Sequence, residues 1–143
     1  MTQELKDFFI KYNREKPIRI LIVDDDNNLA YLLRERLEYE DFEVESASSA
    51  AEGYLMYLMF RPDLVVTDIS MGEETGLDLV KRIRNHDPKV GTIYMTGDLS
   101  RYWSELETER EVNHASILEK PFSGRKLLES ITAQTHGRSQ IAA

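Results

Sequence analysis

An α/β protein built on one parallel sheet is what this sequence predicts, and three observations predict it. Four short apolar runs stand out: Arg19-Ile20-Leu21-Ile22-Val23, Leu64-Val65-Val66-Thr67, Thr92-Ile93-Tyr94-Met95 and Ser116-Ile117-Leu118-Glu119. Stretches of helical period lie between them. Each run ends in residues with chemistry of their own: Asp24-Asp25-Asp26, Asp68, Thr96 and Lys120. If the runs are parallel strands, these residues collect at one edge of one sheet. That edge, outside the carboxyl ends of the strands, is where open α/β sheets bind ligands.

The elements follow in order. The first run is a strand. Leu29, Leu32, Leu33 and Leu37 then recur at helical spacing, with Asp26 or Asn27 as the cap. Phe42-Glu43-Val44-Glu45 alternates and predicts a short strand. Ala51, Tyr54, Leu55, Leu58 and Met59 mark a second helix, ended by Pro62. After the Asp68 strand, Leu77, Val80 and Ile83 mark a third, closed by the Asp87-Pro88 turn. Leu99, Tyr102, Trp103 and Leu106 mark a fourth helix after the Thr96 strand. Leu127, Leu128 and Ile131 mark a fifth after Lys120-Pro121. This βαβαβαβαβα order predicts helices on both faces of a parallel sheet, a doubly wound α/β fold. Ahead of it, residues 1–17 carry Leu5, Phe8, Phe9 and Tyr12 at i, i+3, i+4 and i+7, one face of an extra amphipathic N-terminal helix. Residues 135–143 are polar and small, and are expected to be a flexible tail behind a domain over 18–134.

A chain of 143 residues fits one domain with one core. With 41% hydrophobic and 31% charged residues, the composition is that of an ordinary soluble protein. The formal net charge of -8 argues against a nucleic-acid partner and against an anionic membrane surface. The absence of cysteine excludes disulfides, thiolate metal sites and cysteine nucleophiles. Met1-Thr2-Gln3-Glu4-Leu5-Lys6-Asp7 lacks the apolar stretch of a signal peptide, and no run is long enough to span a bilayer. The expected location is the cytoplasm.

Asp24 and Asp25 sit where a buried strand opens into a loop. Adjacent carboxylates repel unless a cation or protons intervene. Mg²⁺ answers that need: it takes one or two carboxylates, keeps several waters and shares oxygens with a phosphate. A polar turn with a helix cap accounts for the same triplet. Beside a metal-loaded acidic pair, Asp68 becomes a candidate nucleophile toward phosphorus. Thr96 offers a hydroxyl, and Lys120 a point charge able to reach a phosphate. Gly97 leaves room for an incoming phosphoryl group. Each residue also has an ordinary role, as a strand end or a solvated turn.

Together these pieces resemble a response-regulator receiver domain of two-component signalling, over residues 18–134. The matching motifs are Ile20-Leu21-Ile22-Val23-Asp24-Asp25-Asp26, Asp68-Ile69-Ser70-Met71 with Gly76, Met95-Thr96-Gly97 and Lys120-Pro121-Phe122. The resemblance implies a flavodoxin-like five-stranded parallel sheet of order 2-1-3-4-5. It implies that Asp68 is the phosphoacceptor, and that Asp24 and Asp25 hold Mg²⁺ with Asp68 and the backbone carbonyl of Ser70. Asp25 is the more direct of the acidic pair. Thr96 and Lys120 would contact the phosphoryl oxygens, and the Lys120–Pro121 bond would be cis. The implied partners are a histidine kinase or histidine phosphotransfer protein and a downstream protein target. The implied type is a stand-alone receiver, a monomer or weak dimer and not an enzyme. A phosphorylation-independent interaction module is the alternative, and a Mg²⁺ phosphatase on the same fold a third reading. Three departures from the family pattern stand out: Gly72 replaces a frequent proline, Ile117 replaces a frequent Tyr or Phe, and residues 1–17 precede the first strand.

Overall fold

The computed structural model describes residues 2–5 and 16–142, with side chains described as far as Thr135. Five strands alternate with helices: β1 (Arg19–Val23), β2 (Glu43–Ala47), β3 (Leu64–Asp68), β4 (Gly91–Thr96) and β5 (Ser116–Glu119). The helices between and after them are α1 (Asn27–Tyr39), α2 (Ala50–Phe60), α3 (Gly76–Arg84), α4 (Trp103–Asn113) and α5 (Gly124–Ala142). A 3-10 turn over Ser100–Tyr102 leads into α4. Every strand pair is parallel and the order is β2-β1-β3-β4-β5, the flavodoxin-like sheet the sequence implies.

The period-2 pattern of the strands sorts the core into two layers. Ile20 and Ile22 of β1 point to one face with Val66 and Met95, under Leu33 and Leu37 of α1 and Leu127 and Ile131 of α5. Leu21 and Val23 point to the other, under Tyr57 of α2 and Leu79 and Ile83 of α3. Tyr94, Leu106, Ile69 and Val80 extend that second layer beneath α4. Ile20 through Val23 have no exposed surface, which at about 2 kcal/mol per side chain anchors the central strand.

Local signals set the helix starts. Asp26 caps α1 by accepting from the backbone N–H groups of Asn28 and Leu29, both at 3.1 Å. Thr75 and Asp78 form a reciprocal capping box at α3.

Several expectations need correction. The helical spacing places Leu32, Leu55 and Met59 on inward faces, yet they are 61%, 61% and 82% exposed. Helix α2 is apolar nearly all round, so periodicity cannot choose its buried side. Ala50, Gly53, Tyr57 and Phe60 occupy that side instead. Leu99 to Trp103 are not one helical face: the 3-10 turn comes first and Trp103 is half exposed. The second strand starts at Glu43, one residue late. Helix α5 runs to Ala142, and Thr135 within it is buried. The Phe8-Phe9-Tyr12 face lies outside the described residues, while Leu5 is exposed.

A half-buried ionic network ties α4 to the sheet and to α3. Arg84 donates to both carboxylate oxygens of Glu109, at 2.9 and 2.6 Å. Tyr94 and Asn113 donate to the same carboxylate. Burial alone would push the Glu109 carboxyl up. The bonds from Arg84 and Tyr94 outweigh it and hold the carboxyl below its ordinary range. Stability from a depressed carboxyl is complete above its unfolded value and is lost as pH falls through the folded one. Glu109→Gln is therefore expected to lower unfolding free energy by about 2 kcal/mol at neutral pH. In urea titrations the gap between variant and wild type should close as pH drops below the ordinary carboxyl range. A gap that stays constant with pH would contradict this account.

Candidate functional site

The register builds the site. Val23 of β1 lies opposite Thr67 of β3, so Asp24 emerges beside Asp68 where the strand order reverses. Asp68 is opposite Met95, which puts Thr96 one step beyond. Thr96 is opposite Glu119, and the Lys120 N–H donates to the Thr96 carbonyl at 2.8 Å. The Lys120–Pro121 bond is cis.

Asp24, Asp25 and Asp68 offer carboxylate oxygens that all lie within 4.8 Å of one another. Asp24 has no exposed surface, Asp68 is 8% exposed and Asp25 faces solvent. Lys120 Nζ donates to Asp24 Oδ2 at 3.0 Å and lies 3.5 Å from Asp68 Oδ1. Asp24 Oδ1 accepts the Asp26 N–H at 2.9 Å, and Asp68 Oδ1 accepts the Ile69 N–H at the same distance. Burial pushes the Asp68 carboxyl up, with Asp24 and Asp25 adding to the push and Lys120 opposing it. Burial alone would lower the Lys120 ammonium, but its bond to Asp24 and the nearby carboxylates hold it above the ordinary lysine value.

The arrangement suits a hard cation. Oxygen donors at this spacing match Mg²⁺, whose bonds of about 2.1 Å put opposite ligands roughly 4.2 Å apart. Three carboxylates facing one ammonium leave an excess of negative charge for a cation to offset. Asp26 does not share this role; its carboxylate is turned to the α1 cap.

Thr96 is buried, and its hydroxyl accepts the Asp98 N–H at 3.0 Å. Gly97 is exposed, and a Cβ built there would meet nothing within 4 Å, so packing does not demand glycine at this position. Gly76 is different: its Cβ would fall 2.1 Å from the Asp68 carbonyl oxygen and 2.9 Å from Thr67 Oγ1. The start of α3 can lie against the end of β3 only without a side chain. Gly72 adopts φ +80°, a left-handed value that proline cannot reach, which accounts for the missing proline of this loop. Two residues on, Glu74 pairs with Arg82 at 3.6 Å.

Sequence reasoning missed Tyr102. Its hydroxyl shares a 3.0 Å hydrogen bond with the hydroxyl of Ser70, two residues past Asp68. Helical spacing places Tyr102 among core residues. The polar tip of its ring was the signal that it does more than pack.

A family model described as the response regulator receiver domain matches residues 20–132. The transcriptional regulatory protein TrcR of Mycobacterium tuberculosis is 31% identical over 121 residues, which cover 85% of this chain and 45% of that protein. GlrR of Escherichia coli, also a transcriptional regulatory protein, is 34% identical over 116 residues, covering 81% of this chain and 26% of its own. The chain thus spans less than half the length of these two relatives. A CheY-like receiver domain from Methanospirillum hungatei has a TM-score of 0.78 at 29% identity, covering 87% of this chain and 98% of that one. TrrA of Thermotoga maritima, solved in complex with Mg²⁺ and BeF, has a TM-score of 0.69 at 30% identity, covering 80% and 96%.

Gly76→Ala is expected to destabilise the fold by about 3 kcal/mol, the upper range for overpacking, because the obstructing atom is backbone. Thermal unfolding measures this. An alanine variant as stable as wild type would show that α3 does not need its close approach to β3.

Proposed function

The chain belongs to the response regulator receiver family, and we propose that it accepts a phosphoryl group from a phosphohistidine onto Asp68 and thereby switches a protein-binding surface. The observation that carries this is the Asp24, Asp25 and Asp68 cluster, with Lys120 reaching two of its members. The Ile69 N–H and Lys120 both engage Asp68 Oδ1, which leaves Oδ2 to attack phosphorus. The new bond is Oδ2–P. The bond that breaks is the phosphoramidate P–N, its electron pair passing to the departing imidazole. Asp24, Asp25, Asp68 and the Ser70 carbonyl would hold Mg²⁺. Bound there, the ion would neutralise charge on the transferring oxygens. Lys120 would exchange part of its contact with the carboxylates for a phosphoryl oxygen, and Thr96 would turn its hydroxyl to another.

Under this reading the donor is a histidine kinase or histidine phosphotransfer protein and the target is another protein. The chain binds neither nucleic acid nor membrane itself, acts in the cytoplasm and is a monomer or weak dimer. Among the described residues no helix is long and apolar enough to cross a membrane. The chain accepts one phosphoryl group and is not a turnover enzyme. Ser70, two residues past Asp68, has no group to serve as a general acid. The surface that changes is the one around Trp103, Ile117 and Lys126, where α4, β5 and α5 meet.

Intact mass after treatment with acetyl phosphate and Mg²⁺ should show one added phosphoryl group on wild type and none on Asp68→Asn. Asp25→Ala should lose metal-dependent labelling. Asp26→Ala should keep it while losing about 1 kcal/mol of stability, as a removed helix cap does. Equal labelling of wild type and Asp68→Asn would overturn the assignment and favour the phosphorylation-independent module.

Trp103, the single tryptophan, should change its fluorescence when Mg²⁺ and beryllofluoride are added together. Ile117, lacking a polar tip, should keep its rotamer while residues 97–106 show the largest change in amide exchange. An activated structure with the opposite pattern would refute this.

A further inference from the structure

The Ser70–Tyr102 bond closes a ring of contacts around the site. Tyr102 ends the 3-10 turn over Ser100–Tyr102. That turn hangs on Asp98, whose Oδ1 accepts from the Ser100 hydroxyl at 3.1 Å and from the Arg101 N–H at 3.3 Å. The Asp98 N–H in turn rests on the Thr96 hydroxyl at 3.0 Å. From Tyr102 the ring returns through Ser70 to Asp68, two residues before it. Tyr102 also packs in the same apolar cluster as Ile117. It thus brings to that cluster an aromatic ring with a polar tip, which position 117 lacks.

We propose that Tyr102 is a positioning residue that holds the unphosphorylated state through its hydroxyl bond to Ser70. The inference rests on the receiver reading above. In that reading the Thr96 hydroxyl turns toward the phosphoryl group. It then releases the Asp98 N–H, and the turn built on Asp98 shifts. Meanwhile the Ser70 carbonyl is held at the metal. One end of the bond moves and the other is fixed, so the Ser70–Tyr102 bond belongs to one state only. A contact made in one state alone biases the equilibrium by its own strength. Deleting either hydroxyl therefore favours the phosphorylated geometry, and by linkage favours whatever binds at Asp68.

Beryllofluoride with Mg²⁺ is the probe, titrated into wild type, Tyr102→Phe, Ser70→Ala and the double variant, with binding followed calorimetrically. Tyr102→Phe keeps the ring and its packing, and Ser70→Ala keeps the carbonyl. Each single variant should bind on the order of fivefold more tightly than wild type, the worth of one neutral hydrogen bond. The double variant should match the singles rather than multiply them, because all three lack the same bond. Amide exchange at residues 99–103 should quicken in the ligand-free variants. Singles that bind as wild type does, that bind more weakly, or whose effects multiply would overturn the role of Tyr102 while leaving the receiver reading intact. Wild type that fails to bind the probe would overturn that reading and this inference together.

Discussion

The Lys120 ammonium is the charge on which the rest of the site depends. The sheet register brings Asp24 beside Asp68 with no freedom to separate, and Asp24 has no exposed surface through which water could relieve it. Lys120 reaches both from the end of β5. Removing one partner of a buried pair leaves an uncompensated charge, at about 3–5 kcal/mol. The residue that meets an incoming anion in the proposed function is thus also the one that lets the anion-free site exist. Part of its attraction for phosphate is set against a contact it must loosen, which keeps the two states close in free energy.

Much of this was legible in the sequence because it rests on period and position. A period of two gives strands whose last residues share an edge, and the polar residues closing four apolar runs had to meet there. What was not legible depends on which neighbour covers what. The composition of α2 does not distinguish Tyr57, buried, from Met59, exposed two residues later. The buried side is chosen by β1 and α3, where Gly53 lets Val23 and Leu79 approach. Tyr102 was hidden for a related reason. An aromatic residue at helical spacing looks like core, and only its position next to Ser70 shows that the hydroxyl has a partner. The same holds for Glu109, whose burial and partners Arg84 and Tyr94 come from three separate elements.

The loop between β3 and α3 shows how one backbone angle reaches the site. Gly72 at φ +80° turns the chain so that Thr75 caps α3 and Gly76 seats against Asp68. A proline there would need a different path for residues 70–75, and hence another entry for α3. The glycine is therefore tied to the geometry of the site, beyond its place in a solvated loop.

Helix α4 is fastened unequally at its two ends. Toward its C-terminus, Glu109 is gripped by a bidentate arginine, a buried tyrosine and an asparagine. At its N-terminus the 3-10 turn reaches the Asp68 loop through one pair of neutral hydroxyls. A rigid rod held this way has its pivot at the gripped end. Under the proposed function, a displacement next to Thr96 would therefore move the Trp103 end more than the end paired with Arg84. A partner that seizes the Trp103 end would feel the whole stroke, and one that binds beside Asn113 would feel almost none.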